Sequence, residues 1–140
     1  MKSETDLIFG TGIDIVQVER MSRVVTRWGD KLLKRVWTDR EINYCRSKQN
    51  PFEHFAARFA GKEAVSKSLG LTWSEGVRWK EIEIVDKRPG KPEVELSGET
   101  RRTANELKIG NIILSMSHCR EYAVASAIIT RESNSAESDL

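Results

Sequence analysis

Two acidic residues stand at positions where a carboxylate is unusual. Asp14 lies in an apolar stretch that alternates like a strand, on the face that also carries Gly10 and Gly12. Glycine inside a strand often marks the close approach of a ligand or of another backbone. Glu63 lies four residues after Phe59 and continues the apolar stripe of a long predicted helix. An unpaired charge at a buried position is costly, so a metal, a cation or a strong hydrogen-bond donor should lie beside Glu63.

Both carboxylates also have an ordinary structural interpretation. Lys67 follows Glu63 by one helical turn, and such a pair would contribute about 0.2–0.5 kcal/mol to the helix. Asp14 could cap the helix that follows its strand, with the glycines relieving a bend. The two residues by themselves leave these alternatives open beside a functional site.

Side chains suited to phosphate binding accompany the two carboxylates. They lie on the long helix and on a late strand: Arg58, Lys62, Ser66, Lys67, Ser115, Ser117 and His118. Hard oxygen ligands without soft donors suit Mg²⁺, which is typically held by one or two carboxylates, phosphate oxygens and water. A site of this composition usually handles a diphosphate or a triphosphate. Spacing alone is not specific, because nearly every protein of this size has two carboxylates and several lysines.

The helix that carries Glu63 is predicted over residues 51–70. Asn50 can cap its first turn, Pro51 suits the first helical position, and Gly70 suits a left-handed residue just past the end. Its buried stripe is predicted to consist of Phe52, Ala56 and Phe59, with Phe55 at the margin. Gly61 stands inside the helix, where glycine costs roughly 0.5–1 kcal/mol unless close packing requires it.

The remaining segments predict strands joined mostly as hairpins, with helices grouped between them. Strands are expected at 7–17, 81–86, 92–96, 111–118 and 121–130, and helices at 18–28, 38–46 and 99–108, with a shorter helix or turn at 31–37. Ser97 is expected to cap the last helix and Gly110 to close it, while 71–80 is expected to be a loop. This organisation predicts an α+β domain on an antiparallel sheet, spanning 1–130, followed by a disordered tail at 131–140.

Composition limits the class of protein. A chain of 140 residues with 39% hydrophobic and 31% charged residues fits one globular domain. No apolar run approaches the roughly 20 residues of a membrane span, and the N-terminus lacks the apolar core of a signal peptide, so we expect a cytoplasmic protein. Cys45 and Cys119 form no metal or redox motif and are expected to stay reduced.

The charge is unevenly distributed although the net charge is only +2. Between Val18 and Arg40 seven basic residues face three acidic ones; the basic set is Arg20, Arg23, Arg27, Lys31, Lys34, Arg35 and Arg40. Such a segment suggests one of three acidic partners: nucleic acid, a phosphorylated ligand or an acidic protein. A solvated helix face explains the same pattern without any partner.

Three motifs follow one another along the chain in an order that is more specific than any one of them. Gly-Ile-Asp-Ile occupies 12–15 with Arg20 following, Arg-Phe-Ala-Gly-Lys-Glu-Ala occupies 58–64 with Ser-Lys at 66–67, and Ser-Met-Ser-His occupies 115–118. In this order the motifs closely resemble the holo-acyl-carrier-protein synthase family of small 4′-phosphopantetheinyl transferases, from about Phe9 to Ile129. The resemblance implies that family's fold, in which an antiparallel sheet packs against one long central helix with shorter helices around it.

The resemblance also implies a reaction. Enzymes of this family transfer the phosphopantetheine arm of coenzyme A to a serine of an apo-acyl carrier protein, leave adenosine 3′,5′-bisphosphate, and use Mg²⁺. Asp14 and Glu63 match the family's Mg²⁺ ligands. Lys67 matches the lysine near the diphosphate, where it would stabilise or protonate the departing phosphate. Either Glu63 or a metal-bound water would accept the serine proton, and the sequence does not choose between them.

Further residues are implied to bind substrate or partner. Arg58, Lys62, Ser66, Lys67, Ser117 and His118 fall where the family binds coenzyme A, although His118 could equally be a structural histidine at a strand end. Arg20, Arg23 and Arg27 would steer an acidic carrier protein towards the site. The family also implies a homotrimer with active sites between subunits, and neither a nucleic-acid partner nor a membrane.

One competing hypothesis belongs to another class of protein. A nonenzymatic module could use the basic segment to bind an acidic protein or nucleic acid. Such a module would need Arg20 and its basic neighbours but would have no use for Asp14 and Glu63.

Overall fold

A computed structural model of the chain describes residues 7–71 and 78–133. Strands and helices follow one another along these residues nearly as the sequence predicts. Their bounds are Ile8–Gln17 (β1), Val18–Val36 (α1), Asp39–Arg46 (α2), Pro51–Leu69 (α3), Ile82–Arg88 (β2), Lys91–Leu96 (β3), Gly98–Glu106 (α4), Ile109–His118 (β4) and Tyr122–Arg131 (β5). No helix in the described ranges combines the length and the apolar composition that crossing a bilayer requires.

The strands form two antiparallel units. β1, β5 and β4 make a three-stranded sheet in that order, and β2 and β3 make a separate hairpin. The register places Asp14 opposite Ala125 and Ala125 opposite Met116, so these three residues share one face of the sheet. Helix α3 packs across the three-stranded sheet. The predicted α+β class is confirmed, whereas the division into two sheets was not predicted.

Helix α3 is buried on most of its circumference, and the prediction of a single buried stripe is wrong. Thirteen of its 19 residues are buried, because the sheet covers one side and α1, α2 and β2 contact others. Pro51 takes the first helical position and Gly70 ends the helix with φ 80°, both as predicted. Asn50 precedes the helix, but its side chain makes no capping hydrogen bond.

The connection before α3 follows the predicted pattern. Gly29 interrupts α1 with φ 61° and ψ −146°, which separates the two helical stretches that the sequence indicates. Thr38 and Glu41 form the predicted capping box of α2. The Glu41 amide donates to Thr38 Oγ1 at 3.2 Å, and the Thr38 amide donates to Glu41 Oε1 at 2.9 Å.

Helix α4 ends earlier than predicted. Its last residue is Glu106, Lys108 adopts φ 57°, and Gly110 lies inside β4 instead of closing the helix. The Ser97 side chain does not cap the helix. The Glu81 carboxylate takes that role, because its Oε1 accepts hydrogen bonds from the backbone and the side chain of Thr100, each at 2.9 Å.

Two other predictions concern segments that lie partly outside the described residues. The predicted loop at 71–80 falls largely outside them, although its end forms the 3₁₀ turn Trp79–Glu81. β5 runs through Arg131, so the strand enters the stretch assigned to the tail, whose residues 134–140 lie outside the description. Of the two free cysteines, Cys45 is buried and Cys119 is exposed.

Glycines set the distance between β1 and α3. A β-carbon at Gly10 would collide with the carbonyl oxygen of Ser68, and one at Gly12 with the carbonyl oxygen of Ala64. The strand therefore packs directly on the helix backbone, and the close-approach interpretation of these glycines holds over a simple bend. At Gly61, by contrast, a β-carbon would meet only the tips of the Ile84, Leu114 and Met116 side chains.

We expect Gly12→Ala to destabilise the protein by about 1–3 kcal/mol or more, because neither the strand nor the helix backbone can move aside cheaply. Gly61→Ala is the matched control. There only flexible side-chain tips must shift, and alanine recovers roughly 0.5–1 kcal/mol of helix propensity. Urea unfolding of both variants measures the difference, and an equal loss of stability in the two would contradict the argument.

Candidate active site

The structure brings three of the predicted catalytic residues together. Asp14 lies on the face of β1 that contacts α3, and Glu63 and Lys67 follow one another by one turn of that helix. Lys67 Nζ donates to Asp14 Oδ1 at 3.1 Å and to the carbonyl oxygen of Ile13 at 3.1 Å. Because Lys67 is bound to β1, the simple Glu63–Lys67 ion pair is not the arrangement that forms.

Glu63 is a partly buried carboxyl without a compensating hydrogen bond. Its residue is 9% exposed, and no described group donates a hydrogen bond to it. Burial raises the pKa of Glu63, the negative charge of Asp14 raises it further, and the Lys67 ammonium opposes both effects. The negative charges of Asp14 and Glu63 therefore repel each other, and the Lys67 ammonium offsets this repulsion only in part.

These residues line a cleft of about 820 Å³ together with Gln17 and Arg20. The rest of its wall is mainly apolar and includes Met21, Val24, Leu32, Val36, Trp37 and Phe59. An extended ligand with a charged end and a less polar arm fits such a cleft.

The donor set fits a magnesium ion. Among the residues that the structure describes, no group of three or more His, Cys, Asp or Glu side chains could hold a metal. A pair of carboxylates suits Mg²⁺, which readily completes its coordination with phosphate oxygens and water. A divalent cation would also relieve the repulsion between Asp14 and Glu63, which the structure leaves only partly compensated.

Lys62 does not lie in the cleft. Its side chain is fully buried, and Nζ lies 2.7 Å from Glu41 Oε1. The prediction that Lys62 contacts coenzyme A is therefore at odds with the structure. Ser66 is only 2% exposed and presents no accessible hydroxyl to a ligand either.

Arg58 is likewise held inside the protein. Its side chain is 3% exposed, and Nη2 lies 3.4 Å from Asp86 Oδ2. Its guanidinium also stacks over the ring of Tyr44 at 3.9 Å from the centroid. Within the described part of the chain, Arg58 can reach a ligand only if these contacts are exchanged.

His118 and Ser117 lie apart from the carboxylates. His118 Nδ1 is 3.0 Å from Glu53 Oε1, and its ring packs edge-on against that of His54 with centroids 4.8 Å apart. Glu53 precedes Glu63 by ten residues on α3, which separates the two places by roughly 15 Å along the helix axis. Ser117 is exposed on the face of β4 that points away from α3.

The predicted docking residues lie on α1, and one of them reaches the cleft. Arg20 lines it, while Arg23 and Arg27 are exposed farther along the same helix. Arg23 forms a long, exposed contact with Glu19 at 3.8 Å, and Arg27 lies over the ring of Trp28. The apolar wall and His54 were missed by the sequence interpretation. The wall has no motif, since its residues come from several elements that meet only in the fold.

The comparisons with known proteins agree with this geometry. Residues 10–127 match the family model described as the 4′-phosphopantetheinyl transferase superfamily. A curated relative, holo-[acyl-carrier-protein] synthase of Solibacter usitatus, is 44% identical over 88% of this chain and 98% of its own length. The corresponding protein of Geobacter sulfurreducens is 41% identical over 89% of this chain and 99% of its own.

Solved structures show the same fold. The holo-[acyl-carrier-protein] synthase of Neisseria meningitidis superimposes with a TM-score of 0.80 at 28% identity, over 90% of this chain and 100% of that one. The synthase of Helicobacter pylori, solved in complex with coenzyme A, gives a TM-score of 0.74 at 29% identity, over 85% and 98%. The chain therefore belongs to the 4′-phosphopantetheinyl transferase superfamily. Within it, the relatives named here are holo-[acyl-carrier-protein] synthases.

We expect Glu63→Gln to stabilise the protein at neutral pH in the presence of a chelator. Because the pKa of Glu63 is raised in the folded state, the folded protein holds this proton more tightly than the unfolded chain, and stability falls as pH rises between the two pKa values. Glutamine removes that loss. Thermal unfolding from acid to neutral pH measures it, and the two proteins should converge at acid pH, where Glu63 is protonated in both states.

The matched control for this measurement is Glu106→Gln, which removes an exposed carboxyl on α4. A gain at neutral pH that also appears in this control would assign the effect to net charge. In that case it would not come from the environment of Glu63.

Proposed function

We propose that this chain is a holo-acyl-carrier-protein synthase. It transfers 4′-phosphopantetheine from coenzyme A to a serine of apo-acyl carrier protein and releases adenosine 3′,5′-bisphosphate. The observation that carries the proposal is the cluster of Asp14, Glu63 and Lys67 in one cleft, on a chain 44% identical to a synthase across nearly the whole of both proteins. The same cluster speaks against the nonenzymatic basic module, which has no use for it.

Each residue of the cluster has a role in this reaction. Asp14 and Glu63 would hold Mg²⁺, which when bound grips the diphosphate of coenzyme A and neutralises its charge. The serine oxygen attacks the phosphorus that carries the pantetheine arm, and the bond from that phosphorus to the bridging oxygen breaks. Lys67, fixed against Asp14, stabilises the departing adenosine 3′,5′-bisphosphate. Either Glu63 or a water bound to the Mg²⁺ would accept the serine proton.

We further propose a homotrimer with active sites between subunits. The face of the sheet that points away from α3 exposes large apolar side chains: Ile13 at 66%, Ile15 at 65%, Ile113 at 54% and Ile128 at 39%. An apolar surface of this kind marks a site of association. Ser117 shares that face, so a second chain seated there would meet it. His118 follows Ser117 but lies on the opposite face of β4, against Glu53 of α3. From there it is proposed to complete the coenzyme A site of a neighbour.

The trimer is tested by sedimentation of the purified protein. We expect a single species of three chains, and Ile13→Glu should disperse it because the substitution buries an unpaired charge in the interface. A wild-type protein that sediments as a monomer at micromolar concentration would contradict the proposal.

The carrier protein is proposed to dock on α1. The reaction is proposed to take place in the cytoplasm, where acyl carrier protein and coenzyme A meet. Arg20 at the cleft and the exposed Arg23 and Arg27 form a positive surface that leads to the carboxylates. Carrier proteins of this family's reaction are acidic around the modified serine. Charge of opposite sign on the enzyme therefore raises the rate of encounter.

The function is tested by incubating the protein with coenzyme A, Mg²⁺ and an apo-acyl carrier protein and recording the mass of the carrier. We expect a gain of one phosphopantetheine group. Asp14→Asn and Glu63→Gln should each lower the rate by about 100-fold or more, because each removes charge that the diphosphate and its cation require. Chelation of Mg²⁺ should stop the wild-type reaction, and added Mg²⁺ should restore it.

Glu106→Gln again serves as the control and should leave the rate unchanged. A wild-type protein that produces no mass gain would refute the function. Full activity in both carboxylate variants would refute only the assignment of the site.

Replacing Arg23 and Arg27 by Glu should lower kcat/KM for the carrier protein by about tenfold at low salt, with a smaller loss at high salt. The control is the same charge change at Lys34 and Arg35, which are also exposed on α1 but follow the Gly29 break. Initial rates at several ionic strengths measure the effect. Equal losses in both double variants would show that net charge, and not this surface, governs capture.

A further inference from the structure

Lys62 and Glu41 form a closed, fully buried ion pair that the proposed reaction does not use. Both side chains are 0% exposed, and Lys62 Nζ lies 2.7 Å from Glu41 Oε1. Nζ also donates to the carbonyl oxygens of Ile82 at 2.7 Å and Trp79 at 2.9 Å. An ammonium group has three hydrogens, so all of them are engaged inside the protein.

Glu41 completes the arrangement on the other side. Its Oε2 accepts a hydrogen bond from the Ile84 amide at 2.9 Å, and its Oε1 accepts one from the Thr38 amide at 2.9 Å. Ile82 and Ile84 are two residues apart on β2, so their backbone groups face the same edge of the strand. Glu81, the residue before Ile82, faces the opposite edge. Its carbonyl oxygen accepts a hydrogen bond from the Ser97 amide on the β3 side at 3.0 Å. The ion pair therefore occupies the place of a neighbouring strand along the free edge of β2.

The Lys62–Glu41 pair attaches the β2–β3 hairpin to α3, and a second ion pair one helical turn away does the same. Arg58 and Lys62 are four residues apart on α3, and Arg58 pairs with Asp86 farther along β2. The hairpin makes no sheet with β1, β5 and β4. Its orientation therefore depends on these side-chain bonds, on the bonds from Thr38 and Arg40 to Glu83 and from Arg40 to Glu95, and on apolar packing.

The attachment also reaches the wall of the cleft. Lys62 holds the carbonyl group of Trp79, whose ring packs against Phe59 with centroids 5.2 Å apart. Phe59 lines the cleft one turn of α3 before Glu63. The carboxylates are positioned differently, because the direct packing of β1 on α3 at the glycines sets Asp14 against Glu63.

We propose that Lys62 and Glu41 are positioning residues of the active cleft. Their pair fixes the β2–β3 hairpin and the Trp79–Phe59 contact against α3, and it thereby sets the affinity for coenzyme A without touching it. The inference rests on the proposed transferase function. Two adjacent residues of α3 thus have different roles, because Glu63 takes part in the reaction and Lys62 maintains the shape of the site.

The experiment compares Lys62→Met and Glu41→Gln with Ile129→Ala, a cavity variant in the core of β5 that leaves the pair intact. All three should unfold at lower temperature. Below that temperature, the two pair variants should raise KM for coenzyme A roughly tenfold, which corresponds to a loss of about 1.4 kcal/mol of binding free energy. Their kcat per folded molecule should stay near the wild-type value. Ile129→Ala should lose stability with KM unchanged.

Glu41→Gln keeps the proposal testable if Lys62→Met fails to fold, because glutamine retains the size of the side chain and one oxygen acceptor. A lowered unfolding temperature with unchanged KM in the pair variants would overturn the proposal and leave the pair as a stabilising contact only. Hydrogen exchange of the Ile84 amide is a second readout that does not depend on catalysis. It should accelerate in Glu41→Gln, and unchanged protection would also overturn the proposal.

Failure of the function is distinguishable from failure of this inference. No transfer by the wild-type protein refutes the function. Transfer by the wild-type protein with unchanged KM in the variants refutes only the positioning role.

Discussion

Helix α3 lies so close to β1 that two of its carbonyl oxygens occupy the space that β-carbons would fill at Gly10 and Gly12. Most of the site follows from this backbone contact. A strand at ordinary side-chain distance would leave Asp14 too far from the helix to share a charge environment with Glu63. With the glycines in place, the next inward-facing residue of the strand is a carboxylate that bonds to Lys67 and raises the pKa of Glu63.

The second constraint is the nearly complete burial of α3. A buried charge on such a helix is costly unless it is paired, and the three basic residues of α3 are paired in different ways. Arg58 binds Asp86, Lys62 binds Glu41, and Lys67 reaches the strand from an exposed position. Only the last of the three remains close to solvent, which is why only Lys67 of this set is available to a substrate.

Local patterns in the sequence predicted the parts of the fold that depend on local physics. The alternation of β1 placed Asp14 on the same face as the two glycines. Thr38 and Glu41 predicted the start of α2, and Gly70 predicted the end of α3. What failed depended on contacts between distant residues. Nothing near Lys62 indicates that Glu41, in another helix, would take up its charge. Likewise the first turn of α4 is capped by a carboxylate from the turn before β2.

The candidate site was predicted only in part for the same reason. Asp14, Glu63 and Lys67 come together because a strand and a helix adjoin. His118 and Ser117, which stand close to each other in the sequence, lie on parts of β4 that a single chain does not bring to the carboxylates. The resemblance of motifs implied active sites between subunits, and the exposed apolar face of the sheet supports that proposal. This face becomes visible only once the register is known.

The two cysteine thiols of the chain differ sharply in chemical availability. Burial raises the pKa of the Cys45 thiol to about 12, so at neutral pH it has almost no thiolate and will resist alkylation. Cys119 is exposed in the turn between β4 and β5, directly after His118. The natural chain therefore offers a single labelling point for a fluorophore or a spin probe. That point is one residue from the imidazole proposed to meet coenzyme A, so ligand arrival can be followed without engineering the protein.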